Sequence, residues 1–542
     1  MEKAEIQKNN WLAWVALFII LGAAAWLRWH LLAVPLERDE GEYAYGGQLL
    51  LQGIAPYTLL YNMKLPGIYA AYAVVLALFG QTPWGIHFGL LLVNALTGIL
   101  VFLIGRRLFG NLAGFASAAV FIVLSMGQPV QGFFANSEHF VLLPAMAGVF
   151  TLLLALDRDK TWLFLVAGFL LGTGFIIKQH GVLFIVWGAV FGLGTWLYSR
   201  PWGRRCLLAR SALFCLGIFL PYVITCIILS WAGVFDKFWF WTFEYARSYA
   251  EQVSLVDAWS LLKMRASSIV AASPLLWLMA GLGLAAVLWR HRNWRQAGFL
   301  LTLAIFSGIA VSIGGYFRPH YFILLLPATA LLAGSAFGVL AELLAESKNR
   351  LLQYGLPPYT IVVVPLLLLF FCLGLSLYKQ RHFLFSLGTE QAVRETYWPN
   401  PFVESLPIAR YLREHSKPGD RLAVIGSEPQ LYFYSGMTSA SGYIYMYPLM
   451  EARDFALNMQ KEMIKEIEAV QPEYLIFVRI DLSWLQRPNS HTLVYKWFKN
   501  YVKSYRRVGM VEIFAQQSRY SWLPNVIWPP KSPYWIEIMR RK

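Results

Sequence analysis

Runs of roughly 20 mostly apolar residues recur through the first 380 positions of this chain, each long enough to cross a hydrocarbon layer of ~30 Å. Inside lipid every backbone polar group must be satisfied within the protein, so long unbroken apolar runs read as helices. Eleven spans are expected, at about 11–34, 84–104, 112–127, 139–156, 161–177, 181–199, 207–231, 269–289, 297–315, 320–340 and 359–379. Composition agrees: 58% of the 542 residues are hydrophobic, 14% are charged and 22 are Trp, more apolar surface than a water-soluble core would hide. The expected fold class is an α-helical polytopic membrane protein.

The loops between these runs alternate in charge. "GRRLFG" (Gly105 to Gly110), "DRDK" (Asp157 to Lys160), "SRPWGRR" (Ser199 to Arg205), "RHRNWR" (Arg290 to Arg295) and "ESKNR" (Glu346 to Arg350) are short and basic, which places them in the cytoplasm. The other side carries "ERDEGE", "FFANSEHF", "KQH", a long aromatic loop near 232–268, and "YFRPHY". The net charge of +16 therefore reflects membrane topology, and no nucleic-acid partner is expected. The first run is too long for a signal-peptide core and its leading residues are mixed in charge, so it reads as an uncleaved span. The four Cys show no metal or disulfide spacing and read as small buried hydrophobes.

Leu65 to Phe79 is apolar but too short to span, and counting it would turn the Arg-rich loops outward. It reads as part of a first outer loop, about 35–83, containing two helical pieces. After Tyr378 the pattern becomes that of a soluble fold. "RLAVIG" (Arg421 to Gly426) and "EYLIFVRI" (Glu473 to Ile480) read as buried strands, with an amphipathic helix between them. The expected organisation is a membrane domain over 1–379 and a C-terminal α/β domain over 380–542. With an odd number of spans, the second lies outside the inner membrane.

Acids crowd where the first span ends: Glu37, Asp39, Glu40 and Glu42 fall within "PLERDEGEYAYGG", in a chain with only 30 acidic residues against 46 Lys and Arg. Charge matching at a helix N-terminus, worth roughly 0.3–1 kcal/mol, accounts for one or two of them. Other outer span ends carry Lys64, Glu138, Lys178, His180, Arg318, His320 and Tyr321. Carboxylates and cations meeting at one membrane face would supply a base and positive charge for an anionic leaving group. A lipid phosphate sits at about that depth.

The stretch "RDEGEYAYGGQLLLQGIAPY", then "NMKLPGIYAAYAVVLALFG" and "GRRLFG", resembles the amino-terminal half of the protein O-mannosyltransferase and aminoarabinose transferase superfamily. "ANSEHF" and "RPHYFILLLPATALLAG" resemble later outer-loop elements of its bacterial members. The resemblance covers about 1–340. It implies a glycosyltransferase of the C fold using a polyprenyl-phosphate sugar donor, with inversion at the anomeric carbon. Leu65 stands where the family's Lys-Pro-Pro-like element has its first Pro, and His87 where many relatives have Arg. The resemblance therefore carries over the reaction and leaves the sugar open.

By that resemblance Asp39 is the general base and Glu40 orients the base or the acceptor, while Lys64 holds the donor phosphate. Arg318 and Tyr321 are further phosphate contacts, and Glu138 shapes the sugar or acceptor site. Lys178, His180 and His320 are additional candidates. Glu42 has no family counterpart and reads as a solvated face. No cofactor is required. Glu138, His139, His180 and His320 are residue types that bind divalent metals, but their spacing is not diagnostic and no metal is predicted. The expected partners are the lipid-linked donor, an extracytoplasmic acceptor (protein, lipid or polysaccharide) and the bilayer. A transporter or flippase of a lipid-linked saccharide is the rival reading. It would place ionisable residues mid-span, whereas here they sit at span ends.

Overall fold

The computed structural model describes residues 2–199, 202–290, 294–353 and 357–542. Positions 200–201 and 291–293 of two of the basic loops lie outside the described residues. The chain packs as two compact units. The first comprises Met1–Leu31, His87–Cys226 and Arg247–Leu387, the second Leu32–Ile86, Ile227–Ala246 and Gly388–Lys542.

Among the described residues, eight helices are long and apolar enough to cross a membrane: Trp11–Trp29, Pro83–Phe109, Ser137–Arg158, Gln179–Ser199, Arg204–Trp231, Arg295–Gly315, Pro319–Glu346 and Thr360–Lys379. A ninth arises if Leu255–Ala272 and Pro274–Trp289, bent by 101° at their junction, count as one span. Asn111–Leu124 and Trp162–Ile177, expected as spans, are apolar helices of 14 and 16 residues. At 1.5 Å per residue they are shorter than a ~30 Å layer. Pro66–Phe79 is likewise a 14-residue helix.

In the first unit small residues bring helices close, as expected where lipid offers no hydrophobic drive between them. A Cβ on Gly172 would lie 2.4 Å from the Ile218 carbonyl, and one on Gly148 would lie 2.7 Å from the Leu171 side chain. The aromatic loop expected near 232–268 is mostly helical. Phe235–Trp239 leads into a π-helical turn at Phe240–Tyr245, and Leu255–Ala272 is an 18-residue helix capped by Ser254.

The second unit holds a six-stranded mixed sheet. Its strands are β1 (Arg421–Ile425), β2 (Thr438–Ser439), β3 (Tyr474–Arg479), β4 (Tyr505–Glu512), β5 (Arg519–Trp522) and β6 (Trp535–Arg541), in the order β2-β1-β3-β6-β4-β5. β1 pairs in parallel with β2 and β3, and the other pairings are antiparallel. Helix Asp454–Val470 makes the crossover to β3 and buries Ala456, Met459, Met463 and Ile467, a stripe at helical spacing.

Residues 32–86 pack against the sheet-bearing part of the same unit. Helix Arg38–Leu51 starts in a capping box: the Glu37 side chain accepts from the Glu40 N–H and the Glu40 side chain accepts from the Glu37 N–H. Its glycines let neighbours approach. A Cβ on Gly41 would sit 2.6 Å from the Gln430 backbone nitrogen, and one on Gly46 would sit 2.4 Å from the Tyr69 ring. The Leu36 N–H donates to the Tyr434 hydroxyl at 2.7 Å, and the Tyr61 N–H to the Gly442 carbonyl at 2.7 Å. The Tyr45 hydroxyl donates to Ser439 Oγ at 3.0 Å and accepts from the Ser439 N–H at 2.9 Å.

Candidate functional site: an acid and lysine pair after the first span

The capping box fixes which way the four acids point. Glu37 and Glu40 turn inward to cap the helix, each with its carboxylate on the other's backbone N–H, at 3.1 and 3.0 Å. Burial, then the charges of Asp39 and Glu40, push the Glu37 carboxyl well above its usual pKa. Glu40, expected beside the reacting groups, is fully buried in this cap.

Asp39 keeps 22% of its side chain exposed and pairs with Lys64, Oδ2 to Nζ at 3.3 Å. Lys64 donates onward to the Tyr43 hydroxyl at 3.0 Å, and the Tyr57 hydroxyl donates to its carbonyl at 2.7 Å. The Tyr445 hydroxyl donates to the other Asp39 oxygen at 3.0 Å. The two residues that the sequence singled out for base and phosphate thus stand side by side. A lysine this close favours the ionised carboxylate and is itself a point charge suited to phosphate.

Glu42 corrects the sequence reading. It is fully buried rather than solvated, accepting from the Tyr69 hydroxyl at 2.6 Å and from Asn62 Nδ2 at 2.8 Å. Burial and the nearby Asp39 charge raise its pKa to about 7, against the pull of Lys64, Tyr69 and Tyr445. Asp39, Glu42 and Tyr43 are spaced i, i+3 and i+4, one helix face, and that spacing was available as a signal. Tyr445 was not: it lies 406 positions from Asp39. Arg38 is held by the same distant part of the chain. It pairs with Glu428 at 2.7 Å and donates to Asn400 at 2.9 Å, the Tyr447 hydroxyl at 2.6 Å and the Ser427 carbonyl.

The first unit gathers a second set of expected residues. Lys178 donates to the fully buried Glu138, and His320 Nε2 lies 4.0 Å from the same oxygen. The Tyr321 ring receives Lys178 at 4.5 Å and packs against His180 and His320 at 5.0 and 5.1 Å. Lys178 is therefore neutralised by Glu138. Arg318 donates to the Tyr249 hydroxyl at 3.2 Å, beside a stacked Tyr249–Tyr316 pair. His139 turns to Asn94 at 2.9 Å. Among the described residues no three His, Cys, Asp or Glu side chains gather as metal ligands.

Residues 64–229 match the family model described as dolichyl-phosphate-mannose-protein mannosyltransferase. Two proteins of Pseudomonas fluorescens are named undecaprenyl phosphate-alpha-4-amino-4-deoxy-L-arabinose arabinosyl transferases 2 and 1. They are 27% identical over 311 residues and 28% identical over 338, or 55% and 58% of this chain. Over little more than half of its length the chain is similar to these two transferases. The matches span 52% and 58% of those two relatives, so the chain spans little more than half their length. ArnT of Cupriavidus metallidurans, solved bound to undecaprenyl phosphate, has a TM-score of 0.56 and 17% identity, covering 88% of this chain and 94% of that one. The oligosaccharyltransferase AglB of Archaeoglobus fulgidus, solved with an inhibitory peptide and a dolichol-phosphate, has a TM-score of 0.54 and 12% identity, covering 95% and 74%. These likenesses carry the fold alone, that of a polytopic C-fold membrane protein.

Proposed function

We propose that this chain is an inner-membrane glycosyltransferase that moves a sugar from a polyprenyl-phosphate donor to an extracytoplasmic acceptor. The observation that carries the reading is the Asp39–Lys64 pair, with Asp39 partly exposed on a helix whose other residues from Arg38 to Leu49 are buried. Asp39 takes the proton of an acceptor hydroxyl. That oxygen forms its bond to the anomeric carbon as the bond from that carbon to the phosphate oxygen breaks. The electron pair leaves on the lipid phosphate, whose charge Lys64 offsets, and the anomeric centre inverts. The names of the two Pseudomonas relatives and the undecaprenyl phosphate bound in the Cupriavidus structure support a polyprenyl-phosphate lipid as the donor's carrier. The pairing of buried Glu138 with Lys178 supports a sugar- or acceptor-shaping role for Glu138, and Arg318 and Tyr321 are kept as phosphate contacts.

The topology in this proposal keeps the basic loops in the cytoplasm. The eight long spans and the bent pair make nine crossings, and Asn111–Leu124 and Trp162–Ile177 complete eleven by crossing a locally thinned layer, with 380–542 outside. The test is mass spectrometry of lipid-linked sugars and envelope glycans from cells with the chain, without it, and with Asp39→Asn. General-base contributions run to roughly 10²–10⁴-fold, so Asp39→Asn should lose about that much transfer. Wild-type transfer by Asp39→Asn would remove Asp39 from the role. An unchanged glycan and lipid profile on deleting the chain would remove the function.

A further inference from the structure

The base of the proposed reaction has two oxygens, and they meet different partners. Oδ2 faces the Lys64 ammonium at 3.3 Å. Oδ1 accepts from a neutral phenol supplied by the far end of the chain, Tyr445, at 3.0 Å. We infer that Tyr445 is a positioning residue for Asp39: its hydroxyl fixes the rotation of the carboxylate and stabilises its ionised form, so that the C-terminal α/β region completes the first outer loop.

The phenol is held as a positioning group must be. Tyr445 is 5% exposed and packs edge-on against Tyr447 at 5.5 Å. The Tyr447 hydroxyl accepts from Arg38 and donates to the Leu482 carbonyl at 2.8 Å. Between them, the Met446 N–H donates to Ser427 Oγ at 2.8 Å. On the preceding turn the Tyr443 hydroxyl donates to Glu462 at 2.6 Å, and Ser441 Oγ donates to Glu466 at 2.6 Å. The segment carrying Tyr445 is thus pinned at both ends. Burial, then the charges of Asp39 and Glu42, push the Tyr445 hydroxyl well above its usual pKa, so it remains a donor throughout the neutral range. A preset donor on one oxygen spares the carboxylate reorientation during proton transfer.

The groups acting on Asp39 come from every side. Glu37, Glu40, Glu42 and Tyr43 belong to its own helix and cap, Lys64 follows in the loop, and Tyr72 lies on helix Pro66–Phe79. Tyr397 and Tyr445 come from the C-terminal region. Of these, Tyr445 and Lys64 donate to the carboxylate. The same hydroxyl also hydrogen-bonds Glu42, so the titration is repeated in a Glu42→Gln background, where the shift that remains belongs to Asp39.

The inference rests on the reading of Asp39 as base, but its primary test needs no substrate. Infrared difference spectra of the full chain in detergent, wild type against Asp39→Asn, isolate the Asp39 carboxyl band during a pH titration. Tyr445→Phe should move the Asp39 midpoint upward by about one unit, because a hydrogen bond to the ionised form is lost. Tyr447→Phe, which takes a hydroxyl from Arg38 and none from Asp39, should leave it in place. If Tyr445→Phe does not fold, 3-fluorotyrosine at 445 keeps the shape with a stronger donor and should move the midpoint down. In the glycan assay Tyr445→Phe should lose about 10- to 100-fold of transfer, and no more when Asp39 is already Asn. An unmoved midpoint in folded Tyr445→Phe, or an equal shift from Tyr447→Phe, overturns the positioning role. A moved midpoint in a chain whose deletion leaves the glycans unchanged keeps the geometry and sinks the glycosyltransfer reading instead.

Discussion

Lys64 and Glu42 lie 22 positions apart on the same stretch of chain and have opposite tasks. Lys64 stays partly exposed, paired with Asp39 and resting against the Tyr43 ring at 5.3 Å. If its task is positive charge at a lipid phosphate, Lys64→Ala should weaken binding of undecaprenyl phosphate to the chain in detergent far more than Lys64→Arg. Equal and undiminished binding by both variants would reduce Lys64 to an interface anchor. Glu42 is buried and its pKa is raised, so the folded chain keeps the proton to higher pH than the unfolded chain does. The stabilisation is full below the unfolded value near 4.5 and is lost as pH rises through about 7. The change amounts to roughly 3 kcal/mol across that window. Wild type should therefore melt higher at pH 5 than at pH 8, and Glu42→Gln should flatten that difference. An unchanged pH slope in the variant would show that Glu42 does not carry it. The place of Asp39, at a helix start just past the first span, was readable from the sequence because the acidic cluster and the span end mark it. Glu42 was misread because a helix beside a membrane was taken to have a wet face, whereas a second layer of protein covers it.

Helix Arg38–Leu51 works because its glycines remove side chains where neighbours press closest. Gly41→Ala should drive a Cβ into the Gln430 backbone and lower the melting temperature, a cost of about 1–3 kcal/mol for overpacking. Gly22→Ala, in the span Trp11–Trp29 with nothing within 4 Å of the added carbon, should be neutral or mildly stabilising. Equal melting of the two variants would mean that the approach at Gly41 can relax. At this scale the sequence was legible wherever one periodicity ruled. The long apolar spans announced themselves, as did β1 and β3, whose continuous apolar runs are buried on both faces. β4 and β6 did not, because Arg506, Arg507, Arg540 and Arg541 interrupt their apolar pattern near the ends. The aromatic stretch after Trp231 read as a loop because Trp, Phe and Tyr are poor helix formers, yet packing folds Phe235–Tyr245 as helix.

For the whole molecule, the proposed topology predicts that a reporter fused after Lys542 is active outside the cytoplasm and silent within it. The reverse would refute the odd number of crossings. Joining residues 32–86 to 388–542 in one unit was not legible, because nothing in one stretch of sequence reports a partner about 400 positions away. Leu36–Tyr434, Arg38–Glu428 and Asp39–Tyr445 are separated by 398, 390 and 406 positions. Loop closure over such distances is rewarded only once both ends exist.

The Arg38–Glu428 pair therefore has a consequence for how the protein is made. The loop that carries Asp39 leaves the ribosome early, while Glu428, which neutralises its arginine, and Tyr445, which steadies its carboxylate, are translated hundreds of codons later. Throughout that interval the loop must stay hydrated, or be shielded by other factors, because an uncompensated buried charge costs about 3–5 kcal/mol. The loop would be assembled from the last-made part of the chain inward, and a chain released after Leu387 would enter the membrane complete in its spans but without a formed Asp39 loop. Pulse-labelled chains should gain protease resistance around residues 32–86 only after synthesis has passed Tyr447. Resistance acquired earlier would mean that the loop closes on something else first.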